Sequence, residues 1–374
     1  MWPVTDADDR AADDSAAELA DLRARCTRAA AGHGVQSAAD LLATVPADTA
    51  MDRYGDGGVV TELERTVADL LGKPTAVFLP SGIMAQPAVL RVHADRRHRR
   101  TVAFHPACHL DVHEGGAYQR LHHLVGRPVG DPHRLITLDD LHEVAEPLAA
   151  LVLELPQRDL GGQQPAWADL EAQVAWARGA DAAAHLDGAR LWESAAGYGR
   201  PPGEVAALFD TVYVSFYKGI GALPGCCVAG PADLVAEVRE WRKRLGGTLY
   251  GLWPAAASAL SCLALRLPRM PRYLEHALAI AAALREVPGI VVLPDPPQTP
   301  MMHLLITTTA DAFDATARRL AADEGIWTWP GAQLTGVPGV LRVELSVGDA
   351  TIALSAAEIR DVLAEFVHSC ASTA

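Results

Sequence analysis

Along the first two thirds of the chain, short apolar runs alternate with stretches in which apolar positions recur three and four residues apart. "VVTELERTVADLLG" (59–72) has the helical spacing and a glycine stop at Gly72. "TAVFLP" (75–80) is short and apolar throughout, and "SGIMAQPAVLRVHA" (81–94) opens a helix. "LAALVLEL" (148–155) is the continuous run expected of a strand buried on both faces. A helix through 170–180 leads to the strand "DAAAHLDG" (181–188), and the pattern repeats at "DTVYVSFYKG" (210–219). Short apolar strands alternating with helices predict an α/β domain on a largely parallel sheet. Upstream, "SAAELADLRARCTRAA" (15–30) reads as helix and "YGDGG" (54–58) as loop. Beyond about residue 270 the texture changes. A helix at 273–287 precedes strand-like runs at 290–295 and 301–308, a helix at 311–324, a strand at 340–347 and a last helix at 355–368. The pattern predicts an N-terminal segment (1–45), a large α/β domain (46–270) and a small α+β domain (271–374).

Composition narrows this picture. The 374 residues are half hydrophobic and 21% charged, enough for two cores of ordinary globular type. A formal charge of −14 argues against a phosphate-tracking nucleic-acid binder. The densest basic stretch, "RVHADRRHRR" (91–100), fits the solvated end of a helix better than an anion site. Six scattered cysteines without a CxxC pair indicate free thiols in a reducing compartment. The N-terminus lacks the basic and apolar regions of a signal peptide, and no apolar run approaches the ~20 residues of a bilayer span. A cytoplasmic location is expected.

Three motifs fall at predicted strand ends, where open α/β sheets place their ligands. After Pro80, Ser81-Gly82-Ile83 opens a helix, which suits either a phosphate held on free backbone N–H groups or a plain helix cap. "HLDGAR" (185–190) ends an apolar strand in Asp187 and Arg190, so that Asp187 is either a buried anion with a cationic partner or a capping carboxylate. "SFYKG" (215–219) places Lys218 behind a strand and before a glycine loop. A lysine desolvated there is an amine nucleophile towards a carbonyl, forming a Schiff base, although a lysine beside glycines is often only surface. Ser215, three residues earlier, is placed to share a phosphate. Phosphate cup, carboxylate and lysine in that order form the set that pyridoxal 5'-phosphate requires: backbone donors for the phosphate, an aspartate for the ring nitrogen, a lysine for the aldehyde.

"YGDGGVVTELERTVADLLGKPTAVFLPSGIMAQ" (54–86), "CHLDVHEGG" (108–116), "HLDGARLWESAAGYG" (185–199) and "SFYKGIGALPGCCVAGP" (215–231) together resemble the threonine aldolase family, within the fold-type I, β-eliminating-lyase group of pyridoxal-phosphate enzymes. The similarity runs from about residue 50 to the C-terminus. It implies the fold-type I architecture, a large mixed-sheet α/β domain with a small α+β domain, assembled as a homodimer or homotetramer. It further implies that Lys218 carries the cofactor, that Asp187 pairs with the pyridine nitrogen, and that Gly82 and Ile83 hold the phosphate. His109 is implied to stack on the ring near the substrate, and His142 to lie near the substrate hydroxyl. Arg190 is implied for the substrate carboxylate or for the cofactor, and Arg342 for the substrate carboxylate, a task suited to a guanidinium. Glu114 and Glu154 read as supporting or solvated carboxylates.

The chain also departs from the family pattern. No "RSDT"-type segment is found in residues 1–50, Ile83 replaces the usual threonine, Tyr217 stands where relatives have serine, and Tyr250 in "LGGTLYG" (245–251) stands where an arginine often lies. The implied reaction is reversible cleavage of an L-β-hydroxy-α-amino acid to glycine and an aldehyde, with threonine or allo-threonine releasing acetaldehyde. β-Elimination, β-replacement and racemisation on the same scaffold are the rivals, together with a non-catalytic protein that keeps the fold. The absence of a GxGxxG after a strand argues against a nicotinamide enzyme.

Overall fold

A computed structural model describes residues 17–371. By backbone contact the chain divides into a larger unit, Asp40–Leu274, and a smaller one in which the N-terminal 39 residues join Glu275–Ala374. The N-terminal segment is therefore grouped with the C-terminal part of the chain. Residues 1–16, and with them the start of the helix expected at 15–30, lie outside the described residues. That helix ends at residue 25, and Arg28–Ala29 instead form a strand parallel to Ile326–Trp327.

The larger unit is built on a seven-stranded sheet. In chain order its strands are β1 (Thr75–Leu79), β2 (Thr101–Phe104), β3 (Val125–Pro128), β4 (Ala150–Glu154), β5 (Ala183–Gly188), β6 (Thr211–Ser215) and β7 (Cys226–Gly230). Their spatial order is β1-β7-β6-β5-β4-β2-β3, with β7 antiparallel to both neighbours and the remaining pairs parallel. Every residue of β5, β6 and β7 is buried, as expected of strands covered by helices on both faces. β3, with Pro128 and little burial, occupies the sheet edge, where a missing N–H costs least. The sheet is thus mixed, as fold-type I requires.

Two helices fix the end of the sheet that matters. α1 (Gly58–Leu71) buries Val60, Leu63, Val67 and Leu71 and is tied to β1 through Glu64, whose carboxylate accepts from the Phe78 amide at 2.8 Å and from Arg239 at 2.8 Å. α2 (Gly82–Arg97) follows β1 directly and is buried along most of its length. Its basic end is the solvated terminus expected: Arg96 bridges Asp233 at 2.8 Å and Glu237 at 2.5 Å.

The smaller unit carries a four-stranded antiparallel sheet in the order Gln333–Leu334, Val340–Ser346, Met301–Thr307, Ile290–Leu293. Val340–Ser346 alternates half-buried and buried positions along its length, the signature of a sheet covered on one face. Phe313 and Phe366 stack at 4.5 Å between the helices 310–324 and 356–371. Cys26, Cys108, Cys226, Cys227 and Cys262 are buried free thiols.

Candidate active site

β4, β5 and β6 are parallel neighbours, so their C-terminal ends open on one edge of the sheet, and the candidate residues gather there. Asp187 on β5 lies in register with Glu154 on β4 and with Tyr213 on β6. Lys218 follows β6 by three residues in a tight loop closed by the Gly221 amide donating to the Lys218 carbonyl at 2.9 Å. Gly219 lets the loop pack closely on the Glu193 carboxylate, which would have to shift to admit a Cβ.

The electrostatics follow from burial. Desolvation pulls the Lys218 amine below its usual range, and the Asp187 carboxylate pulls the other way. Asp187 is 2% exposed, and burial pushes its carboxyl up. Lys218, His109, the Ala189 amide (3.1 Å) and the Gln86 side chain all oppose that rise. Glu154 accepts from the His109 and Arg158 amides at 3.2 and 3.1 Å and from Gln157 at 3.2 Å, yet burial and the nearby Asp187 charge push it up to about 7.

His109 starts the short helix His109–Val112 and is pinned twice: its amide by Glu154, and its Nδ1 by Glu114 Oε1 at 3.1 Å. Glu114 is itself buried, which raises its carboxyl, while the bond to His109 lowers it. With Nδ1 engaged, Nε2 is the ring nitrogen left to act on a ligand. Arg190 precedes helix Leu191–Tyr198, and its Nη1 lies 3.6 Å from Glu193 Oε1.

At the other side of Asp187 stands the N-terminus of α2. Ser81 occupies the cap position in an extended conformation, but its side chain makes no capping bond, so the plain-cap alternative is not what the structure contains. Gly82 packs against the Tyr213 hydroxyl so closely that a Cβ would collide with it. Ile83 turns outward, 47% exposed, so its backbone rather than its side chain is the useful part. The Ser215 hydroxyl is buried without a hydrogen-bond partner of normal geometry, beside Tyr217 at the end of the same strand.

One expected residue of the larger unit stands apart from this cluster. His142 ends helix Leu138–His142, is exposed, and enters none of the hydrogen bonds or charge interactions of the strand-end cluster among the described residues. Arg342 lies on Val340–Ser346 of the smaller unit. It is bonded there to Gln333 Oε1 through Nε at 3.0 Å and Nη2 at 2.5 Å rather than to an acid such as Glu344. Conversely, Gln86, Glu193 and His185 stand close behind the cluster and were not among the expected residues. Glu193 had a faint signal, a carboxylate one helical turn after Arg190.

Compared with known proteins, residues 32–307, well over half the chain, match the family model described as beta-eliminating lyase. The chain belongs to the beta-eliminating lyase family. Among solved structures, this lyase is similar to a protein of Exiguobacterium sp. 255-15 provisionally named an aromatic amino acid beta-eliminating lyase/threonine aldolase. The two are 36% identical, with a TM-score of 0.87 over 94% of this chain and 99% of the other. It is likewise similar to a protein of Listeria monocytogenes EGD-E provisionally named an L-allo-threonine aldolase, with 34% identity, a TM-score of 0.88 and the same coverage. The low specificity L-threonine aldolase of Escherichia coli K12 is 26% identical over 69% of this chain and 79% of its own length. A serine palmitoyltransferase structure at 16% identity and TM-score 0.67 shares the fold alone.

The lyase is of the pyridoxal-phosphate-dependent, fold-type I class. Its strand-end residues fit that cofactor. A helix N-terminus with no side-chain cap and a buried, unsatisfied Ser215 hydroxyl suit a phosphate; buried Asp187 suits a protonated ring nitrogen; Lys218 supplies a desolvated amine.

Proposed function

We propose that this lyase cleaves L-threonine, L-allo-threonine or related β-hydroxy-α-amino acids to glycine and an aldehyde. The observation that carries the reading is the desolvated Lys218 amine facing the buried Asp187 carboxylate at adjacent strand ends, with His109 pinned beside them. Pyridoxal phosphate supplies an electron sink for the carbanion left when the Cα–Cβ bond breaks. The α2 amides of Gly82 and Ile83, with Ser81 and Ser215, hold the phosphate. Asp187 would pair with the ring nitrogen, and the Lys218 amine would hold the aldehyde group. Arg190 receives the substrate carboxylate, its guanidinium oriented by Glu193.

His109 Nε2 takes the proton of the β-hydroxyl, and the Glu114 carboxylate on Nδ1 stabilises the imidazolium that results. This division of labour leaves His142 without a catalytic task. The test is product analysis with L-threonine, L-allo-threonine and phenylserine as substrates. Glycine and the matching aldehyde in equal amounts are expected; turnover of only serine or cysteine, to pyruvate, overturns the aldolase reading in favour of β-elimination.

A further inference from the structure

Behind Asp187 runs a chain of five polar side chains that the proposed reaction does not use. Gln86 and His93 lie two turns apart on the same face of α2, and His185 and Thr211 are paired across β5 and β6. His93 Nε2 lies 2.8 Å from Thr211 Oγ1, Thr211 Oγ1 lies 2.8 Å from His185 Nδ1, and His185 Nε2 lies 2.7 Å from Gln86 Oε1. The Gln86 side chain bonds Asp187. At the outer end Arg97 Nη1 reaches His93 Nδ1 at 3.4 Å. Gln86, His93, His185, Thr211 and Asp187 are each at most 2% exposed, so their polar side-chain atoms depend on protein partners rather than on water.

The chain has one consistent direction. Arg97 can only donate, so His93 Nδ1 accepts and its Nε2 carries the proton. His93 therefore donates to Thr211, whose single hydroxyl hydrogen goes on to His185 Nδ1. His185 then carries its proton on Nε2 and donates to Gln86 Oε1, which turns the Gln86 NH2 group towards Asp187. The reverse direction sets an imidazole N–H against the Arg97 guanidinium and the Gln86 carbonyl against the Asp187 carboxylate. Burial keeps both imidazoles neutral, His185 down at about 3 and His93 well below its usual range, so neither can donate from both nitrogens.

We infer that Gln86, His185, Thr211 and His93 form a one-way donor relay that holds the Gln86 amide on Asp187 and thereby keeps that carboxylate ionised opposite the cofactor ring. The inference rests on Asp187 being the ring-nitrogen partner. These are positioning residues: they act on the cofactor through Asp187 alone. A carboxylate buried this deeply loses ionisation through desolvation unless donors compensate, and the relay supplies the donor that the strand backbone does not.

The experiment has a spectroscopic arm and a binding arm. In ¹⁵N NMR of histidine-labelled holoenzyme, assigned with single histidine variants, His93 and His185 should both be Nε2–H tautomers from pH 6 to 9. A His185 Nδ1–H tautomer overturns the relay. In binding, Thr211→Val and Gln86→Leu should each weaken pyridoxal phosphate affinity of the apoenzyme about tenfold, the effect of one hydrogen bond to a charged group. Thr211→Ser, which keeps the hydroxyl, should stay within twofold of the parent; if it loses as much as Thr211→Val, the hydroxyl is not the active feature and the relay fails. Asp187→Asn separates the two claims. Loss of affinity in Asp187→Asn but not in Thr211→Val or Gln86→Leu overturns the relay alone. Unaltered affinity in Asp187→Asn overturns the ring-nitrogen reading, and the relay with it.

Discussion

The two sheets of this lyase treat polar residues in opposite ways. In the seven-stranded sheet, β5 and β6 are buried at every position, so the few polar groups they carry, on His185, Asp187, Thr211, Tyr213 and Ser215, sit where water cannot reach them. His185, Thr211 and Asp187 are joined in the hydrogen-bonded chain that ends on Asp187, and the Ser215 hydroxyl stands beside Tyr217 at the end of β6. In the four-stranded sheet, Val340–Ser346 alternates, so Arg342 and Glu344 fall on the more open face at little desolvation cost. A polar residue in a doubly covered strand therefore demands an explanation, whereas one in an alternating strand need not have one.

The sharpest test of that contrast is Lys218→Ala. Glycine formation should fall by about 10³-fold or more, because among the described residues no other lysine follows β4, β5 or β6 at its C-terminal end. The melting temperature of the apoenzyme should fall, since Asp187 and Glu154 lose the cation that offsets their burial. Residual turnover near the parent rate would break the functional reading of the covered sheet.

Next in size is a core cut in the alternating sheet. Leu345→Ala, at a fully buried position, should cost about 2–5 kcal/mol in denaturant unfolding. Val291→Ala, 53% exposed in the same sheet, should stay within about 0.5 kcal/mol. Equal costs would show that the alternation does not mark a one-sided core.

Arg342→Ala then asks whether the open face carries function. If Arg342 binds the substrate carboxylate, KM rises about tenfold with stability changed by less than about 0.5 kcal/mol. An unchanged KM removes Arg342 from the substrate site.

The smallest effect concerns pH. Glu154 sits at about 7 in the folded apoenzyme against an ordinary 4.5, so the folded state holds a proton that the unfolded chain has released between those values. Its contribution is fully present below about pH 4.5 and is lost as pH rises through about 7. Apoenzyme stability should therefore decline across that window, and Glu154→Gln should flatten the decline in melting scans at pH 5 and pH 7.5. An identical slope in the variant places the titration elsewhere.

Much of the covered sheet was legible in the sequence. The runs at 75–80, 148–155, 181–188 and 210–219 became β1, β4, β5 and β6, because a continuous apolar stretch bounded by turn residues has few other uses. β2, β3 and β7 were not read: "TVAF" and "VGRP" are four residues each, and "CCVAG" is small and flanked by glycine and proline. The site divided the same way. Lys218, Asp187, Ser81, Gly82 and Ser215 announce themselves as polar or glycine residues at predicted strand ends, and Ile83 comes only with the motif that Ser81 and Gly82 open. Gln86, His93 and Thr211 do not, because a glutamine or histidine on a helix is by default a surface residue.

The amino-acid order alone determined the α/β class, the helices flanking the sheet, and the succession of phosphate cup, carboxylate and lysine, since periodicity and turn chemistry act over a dozen residues or fewer. Only the tertiary structure decided that β7 runs antiparallel inside the sheet, that Glu154 lies in register with Asp187, and that α2 lays Gln86 and His93 against His185 and Thr211. Those pairings join residues from about 10 to about 155 positions apart. They depend on sheet order and on the desolvation of both partners, which no local pattern encodes.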